Sequence, residues 1–348
     1  MLFNKSVLKK APQSLKRLRG CKSQPAVKPE CDLGKAILAE PPQPGKVFAM
    51  ANLLPREKRI GVLHHLVEGN TLRSTSRLTG VHRTTIQNLL VDFGTRCEQF
   101  QDRELRGLTL NHVECDEIWT FVQKKQSRLT VDEKADCHDI GDVYVFTAID
   151  AETKLLPSCV VGKRSADNAR KLMLDLRTRL NMPTPHASDA HGFNRPGFVY
   201  VTQLSTDAFP AYPEAVDLAF GPYAKFGTLI KDYKNANMPY TPSEMVGTQR
   251  RAVFGMRDDE VRSICTSHVE RHNLTIRTLM KRFTRLSLGF SKKLANLQAA
   301  VSMFAAFYNF VWRTRDAING RMRPPAAMMA GGTDRLWSFE DLYTAIAE

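Results

Sequence analysis

The sequence predicts an α/β protein in which a mixed sheet is flanked by helices, and three observations lead to this fold class. From residue 106 onward, a strand, a hairpin, a helix and a further strand follow one another, and a long helix opens at Ser267. Strands that alternate with helices in this order form sheets covered by helices. Residues 50–105 are patterned only as short helices, and residues 1–49 have the composition of a disordered tail.

The first 49 residues differ sharply from the rest of the chain. They contain ten Lys or Arg, three acidic residues and six of the eighteen prolines. Such a segment buries too little apolar surface to offset the entropy lost on ordering. We therefore predict a disordered basic tail over 1–49, with a start at Met50 as an open alternative.

Charge and cysteine content indicate the class of partner and the compartment. Fifty basic residues against 36 acidic ones give a net charge of +14, which favours a polyanionic partner such as nucleic acid. Seven cysteines without a C-x-x-C pair indicate reduced thiols in a cytoplasmic protein. No secretory signal is evident.

The uncharged stretch from Leu294 to Trp312 has apolar residues at helical spacing, which predicts a packing helix and not a membrane span.

Three short helices are predicted within 50–105, which we expect to form a separate DNA-binding domain. Thr71 can cap the second helix and Gly80 can end it, and we expect the third to close at Gly94. A glycine-containing turn between two short helices is the helix-turn-helix pattern. A small helical bundle with a solvated polar face is the alternative. The outward residues of the third helix, which suit contacts with phosphates and base edges, are Arg83, Thr84, Gln87 and Asn88.

An α/β domain is predicted over 106–320, followed by a C-terminal tail over 321–348. Alternating apolar residues, turn residues and helix-capping residues define its elements. A strand over 112–122, a hairpin of strands over 143–149 and 154–161, a helix from Ser165 to Asn181, a Pro/Gly/His-rich loop over 183–197 and a strand over 198–204 are expected in that order. An irregular stretch precedes the long helix from Ser267.

Three carboxylates are candidates for catalytic chemistry. Asp116 interrupts an apolar strand, Asp207 follows the later strand, and Glu270 lies in the first turn of the long helix. Hard oxygen ligands suit Mg²⁺ or Mn²⁺, and three of them can hold two ions about 3.5–4 Å apart for phosphoryl chemistry. The alternative is that Asp207 caps a turn, Glu270 caps the helix and Asp116 is exposed. The neighbouring acids Glu114, Glu117 and Asp217 are not expected to share the role.

The long helix also presents a basic face. Asn273, Arg277 and Lys281 follow Glu270 at helical spacing, and we expect all three to contact DNA. Other chemistries lack their motifs: no nucleotide P-loop and no G-x-S-x-G elbow occur, and the Cys137-His138 and His64-His65 pairs lack partners at zinc-ligand spacing.

DDE transposases carry three catalytic blocks that this chain resembles at 115–119 (CDEIW), 206–212 (TDAFPAY) and 269–277 (VERHNLTIR). The likeness extends to the insertion sequence one family of bacterial mobile elements, which the runs KRFTR at 281–285 and FSKK at 290–293 also resemble. The resemblance implies an RNase H-like catalytic domain behind the helix-turn-helix domain. It also implies that Asp116, Asp207 and Glu270 are the metal-binding triad.

The resemblance further implies metal-dependent cleavage at transposon ends, followed by attack of the 3′-hydroxyl on target DNA. We then expect double-stranded DNA as partner, no membrane association, a homo-oligomer on DNA, and a nucleoid-associated bacterial protein. Two competing hypotheses stay open: a catalytically inactive DNA-binding protein derived from a transposase, and a stand-alone RNase H-like nuclease.

Overall fold

The structure, a computed structural model, describes residues 53–136, 139–182, 201–234, 244–284, 287–316 and 319–348. The predicted basic tail over 1–49 and the predicted loop over 183–197 lie outside the described residues, as do Cys137, His138 and the first three residues of the strand predicted over 198–204.

Six strands form one mixed sheet in the order β3-β2-β1-β4-β5-β6. The central pair β1/β4 and the pair β4/β5 are parallel, and the remaining pairs are antiparallel. This sheet confirms the predicted α/β class and is compatible with an RNase H-like fold. The strands are β1 (His112–Val122), β2 (Gly141–Asp150), β3 (Ser158–Gly162), β4 (Thr202–Asp207), β5 (Ala224–Lys234) and β6 (Glu244–Phe254).

Helices flank the sheet and pack on one another, and several begin where the sequence predicts. Thr71 caps α2 by accepting a hydrogen bond from the Ser74 amide at 3.1 Å, and Gly80 ends it at φ 71°. Ser165 caps α5. The helices are α1 (Arg56–Val67), α2 (Leu72–Thr79), α3 (Arg83–Glu104), α4 (Val131–Asp136), α5 (Ala166–Arg179), α6 (Tyr212–Phe220), α7 (Ser267–Leu279), α8 (Leu294–Phe310), α9 (Ala326–Met329) and α10 (Phe339–Ala347).

Helix α3 is longer than predicted, because it continues through Gly94 to Glu104. Gly94 lies where α3 and α8 cross: a Cβ atom added there would be 2.3 Å from the Ala299 carbonyl oxygen. The missing side chain therefore permits a close helix–helix contact and does not end the helix. Nearby, the Gln101 side chain donates to the Ser302 carbonyl at 3.1 Å and fastens the same pair of helices.

Gly94→Ala should therefore destabilise the protein. Its methyl group collides with backbone that cannot rotate away, and overpacking of this kind costs about 1–3 kcal/mol. Gly61→Ala in α1 is the matched control, because an added Cβ meets nothing within 4 Å there. That substitution should stabilise the protein by about 0.5–1 kcal/mol through helix propensity alone. Denaturant unfolding of both variants is the measurement, and equal effects would contradict the close contact.

Helix α8 confirms the predicted packing helix, since most of its side chains are buried against α3, β3, α9 and α10. No helix in the described parts of the chain is both long and apolar enough to cross a membrane.

Residues 53–348 form one compact unit. Arg56 of α1 donates to Glu340 at 2.6 Å, to Thr344 at 2.8 Å and to Glu348 at 2.9 Å, and thus ties α1 to α10. The boundary predicted between residues 105 and 106 falls inside this unit, where α3 shares its core with the sheet. The segment predicted as a C-terminal tail contains α9 and α10, with Phe339, Leu342 and Tyr343 in the core.

The stretch predicted as irregular before Ser267 contains α6, β5 and β6. The side chains of β6 are exposed along almost its whole length. Neither face of the strand is therefore buried, and the alternation that marks a half-buried strand is missing from its sequence.

Candidate metal centre

The two central parallel strands bring Asp116 and Asp207 together. Cys115 of β1 pairs with Thr206 of β4, so the residues that follow them lie side by side where β4 ends. Ligand sites in such sheets form at the carboxyl ends of the strands. The pairing of β1 with β4 thus brings together two residues that are 91 positions apart in the sequence.

Three carboxylates converge at this point: Asp116, Glu117 and Asp207 each offer an oxygen, and these oxygens lie within 4.8 Å of one another. We call these residues the acidic cluster. It can hold a metal ion, and its donors are the hard oxygens that Mg²⁺ and Mn²⁺ prefer. Among the described residues, no other group brings three or more potential metal ligands together. Glu270 does not belong to the acidic cluster.

From the sequence, neutralising Glu117 is expected to matter far less than neutralising Asp116, yet its carboxylate lies in the acidic cluster. Neighbouring side chains on a strand point to opposite faces of the sheet. Asp207 is the last residue of β4, so its carboxylate can be approached from both faces of β1. The Glu117 side chain is only 2% exposed. The signal that the sequence offers is only that Glu117 is an acid directly beside a predicted ligand.

The surroundings of Asp116 leave excess negative charge. Its carboxylate accepts hydrogen bonds from the Asn273 side chain and from the Glu117 amide, both at 2.8 Å. Burial, and then the charge of Asp207, raises the pKa of Asp116 to about 7. Burial and Asp207 likewise raise the pKa of Glu117. Carboxylates that are costly to ionise together are those that a bound cation stabilises, so the residues fit a divalent metal.

A pH dependence follows for the metal-free protein. The pKa of Asp116 is about 7 when folded and near 3.8 when unfolded, so the folded state binds more protons between these values. The free energy of unfolding must then fall as the pH rises from about 4 to about 7, on the order of a few kcal/mol from this group. Asp116→Asn should flatten that part of the curve.

Denaturant unfolding across this pH range measures the effect. Asp217→Asn is the control, because Asp217 is an exposed acid on α6 outside the acidic cluster, and its curve should follow that of the wild type. Parallel curves for the wild type and Asp116→Asn would contradict the assignment.

Glu270 lies in the first turn of α7, as predicted, but it has other partners. Its carboxylate accepts from the Thr266 hydroxyl at 2.7 Å and forms an ion pair with Lys231 of β5. The positive charge of Lys231 also favours ionised Asp116 and partly offsets the rise in its pKa. Because Asn273 follows Glu270 by one helical turn and binds Asp116, Glu270 belongs to the helix that lies on the Asp116 side of the sheet.

Glu114 anchors that helix, a role that no pattern in the sequence indicates. Its buried carboxylate accepts from the His268 amide at 2.8 Å and from the Val269 amide at 3.0 Å, which caps α7 from the adjacent strand. Acceptors at a helix N-terminus satisfy amides that have no partner within the helix. Glu114 and Asp116 share one face of β1, so this cap fixes α7 beside the acidic cluster.

Arg164, between β3 and α5, contacts the acidic cluster from the other side. Its guanidinium lies 3.1 Å from Glu117 Oε2 and 3.6 Å from Asp207 Oδ2. It also lies over the Phe209 ring, 4.1 Å from the centroid. The buried Tyr212 hydroxyl, which makes no hydrogen bond, lies near the Glu117 carboxylate and partly offsets the rise in its pKa.

The basic face predicted on the long helix is shorter than expected. Asn273 binds Asp116, and Arg277 donates to the Phe283 carbonyl at 3.1 Å. Helix α7 ends at Leu279, so Lys281 lies in a separate short 3-10 helix over 281–283 and does not continue the face. The chain turns there because Met280 and Phe283 are buried.

The residues predicted to contact DNA in the helical region lie in the first two turns of α3. Arg83, Thr84 and Asn88 are exposed, and Gln87 is half-buried. Their side chains are therefore accessible to a large ligand.

Comparison with known proteins adds no family assignment: no protein-family model matches the chain, and no curated protein matches it. Function is therefore inferred from the acidic cluster and its surroundings.

Proposed function

We propose that this chain is a DNA transposase of the DDE type, which cleaves DNA at the ends of a mobile element and joins the 3′-hydroxyl to target DNA. The observation that carries the proposal is the convergence of Asp116, in the middle of β1, with Asp207, at the carboxyl end of the adjacent parallel strand β4. The acidic Glu270 on the flanking helix supports it, as does the excess of basic residues.

Two Mg²⁺ or Mn²⁺ ions would be held by Asp116, Asp207 and a third carboxylate, and when bound they neutralise charge and activate the attacking oxygen. Glu270 is the third ligand that the resemblance implies, and Glu117 is the one that lies in the acidic cluster. The side chain of Asn273 orients the Asp116 carboxylate, and Glu114 holds α7 in place. Lys231 neutralises Glu270 while no metal is bound.

Double-stranded DNA is the proposed partner, at both the element end and the target, with the protein acting as a homo-oligomer on DNA in the bacterial nucleoid. The start of α3 is the proposed recognition element in a helix-turn-helix. Its exposed polar side chains supply phosphate and base-edge contacts, and the basic chain supplies affinity that does not depend on sequence.

Arg83→Ala and Gln87→Ala should each weaken binding to the element end by about 1–3 kcal/mol if the side chain reads a base. Arg103→Ala is the matched control, since Arg103 is exposed in the last turn of the same helix. Fluorescence anisotropy on element-end and random DNA measures the effect. Equal weakening on both DNAs would assign the side chain to phosphate, and no change on either would contradict the recognition role of α3.

Incubation of the purified chain with the DNA that flanks its own gene, with Mg²⁺, tests the function. A strand break at an inverted repeat, followed by joined products, is the expected result. Cleavage without joining would identify a stand-alone nuclease. Binding without cleavage would identify a DNA-binding protein that has lost activity.

A further inference from the structure

We propose that Arg164 is an exchangeable counter-ion: it neutralises Glu117 and Asp207 while the acidic cluster holds no metal, and it turns to a DNA phosphate when a metal takes its place. This inference rests on the proposed function and adds a positioning residue to it. Neither the resemblance nor the predicted triad includes Arg164.

Arg164 lies against oxygens of the acidic cluster, including that of Asp207, which a bound metal ion would need. The guanidinium lies 3.1 Å from Glu117 Oε2 and 3.6 Å from Asp207 Oδ2, and both residues belong to the acidic cluster. A cation bound between them lowers the negative potential that attracts Mg²⁺ or Mn²⁺, and it lies close enough for strong like-charge repulsion. Removing Arg164 should therefore strengthen metal binding.

Arg164 can leave the acidic cluster without losing all of its contacts. Its side chain is 38% exposed, whereas that of Glu117 is 2% exposed, so the guanidinium occupies the solvent side of the pair. The Phe209 ring, 4.1 Å from the guanidinium carbon, supports the charged group independently of the carboxylates. Release from Asp207 therefore does not leave the guanidinium without a contact.

The guanidinium of Arg164, once released, is suited to bind a phosphate group. A guanidinium presents five N–H donors in one plane, a geometry that matches the oxygens of a phosphate group. When a metal neutralises the carboxylates, the guanidinium stays beside the place where a scissile phosphate must lie. Arg164 then positions the DNA backbone without acting on the reacting atoms itself.

Metal affinity of the DNA-free protein is the first test, measured with Mn²⁺ alone by the loss of its free-ion paramagnetic resonance signal. Arg164→Gln should bind Mn²⁺ about threefold to tenfold more tightly than the wild type, the size expected for loss of one partly exposed opposing charge. Arg164→Lys keeps the charge and should stay near the wild type. Arg170→Gln is the matched control, because Arg170 pairs with Asp167 and Glu214 on α5 and α6, away from the cluster.

The salt dependence of binding to a short random-sequence duplex is the second test. With Ca²⁺ present, Arg164→Gln should reduce the slope of log affinity against log salt by about one, the effect of one lost phosphate contact. Without a divalent cation the slope should match the wild type, since Arg164 is then held by the carboxylates. Arg170→Gln should leave both slopes unchanged.

Unchanged or weaker Mn²⁺ binding by a folded Arg164→Gln variant would overturn the counter-ion role. An equal loss of slope with and without Ca²⁺, or no loss in either condition, would overturn the exchange onto phosphate. The proposed function fails differently: Mn²⁺ would then bind Asp116→Asn as well as it binds the wild type. Thermal unfolding of each variant separates these outcomes from misfolding.

Discussion

Asp116→Asn and Asp207→Asn should each lower the rate of Mg²⁺-dependent DNA cleavage by roughly a hundredfold to a thousandfold, or more. Both changes preserve the shape of the side chain and remove the charge that holds the metal. Phosphoryl transfer depends on the positioning of the nucleophile and the neutralisation of charge, so the loss of a ligand removes most of the catalysis. Strand joining should be lost with cleavage, because both steps use the same ions.

Gel assays of cleavage and joining measure these effects, with Asp217→Asn as the control. Asp217 is exposed on α6 outside the acidic cluster, and its neutralisation should leave the rate within about twofold, as for an ordinary surface change. DNA binding and thermal unfolding of all three variants should stay near the wild type. An active Asp207→Asn variant would overturn the assignment of the cluster.

The second large effect distinguishes the two candidates for the third ligand. If Glu270 exchanges Lys231 for the metal, Glu270→Gln should abolish cleavage to the same extent as Asp116→Asn, and Glu117→Gln should lower it only modestly. We expect this result, because Glu270 shares with Asn273 the helix that binds Asp116. Rates of cleavage over a range of Mn²⁺ concentrations separate a weakened metal site from a lost one.

The opposite outcome would identify Glu117, and not Glu270, as the third ligand. If Glu117→Gln is as inactive as Asp116→Asn while Glu270→Gln cleaves DNA, the acidic cluster itself is the complete ligand set, and Glu270 serves the ion pair with Lys231. Glu214→Gln is the control for both glutamates, because Glu214 is an exposed acid that pairs with Arg170 on α5.

The sequence was informative where one rule of local structure was enough. The apolar strand over 112–122 was predicted with the bounds that β1 has, and the place of Asp207 at the end of β4 follows from the tendency of ligands to gather at strand ends. The cap at Thr71 and the stop at Gly80 follow from backbone chemistry that acts within a few residues.

The sequence was uninformative where the partner is distant along the chain. Arg164 precedes a predicted helix and looks like any surface arginine, and only the fold brings it to Glu117. The partners of Glu114 are amides in the first turn of α7, more than 150 positions away, and no local pattern indicates them. Gly94 carries both a helix-ending and a helix-packing signal, and only the position of Ala299 decides between them.

The length of α3 has a consequence for the geometry of the DNA. The helix has 22 residues, so at about 1.5 Å per residue it is a rod of roughly 33 Å whose far half is fastened to α8. If the first turns of α3 contact the bases of the element end, the rigid helix fixes the distance between those bases and the phosphate that is cut. One inserted base pair shifts the phosphate by about 3.4 Å along the duplex and rotates it by about 35°. The protein should therefore measure a set number of base pairs and reject the adjacent spacings.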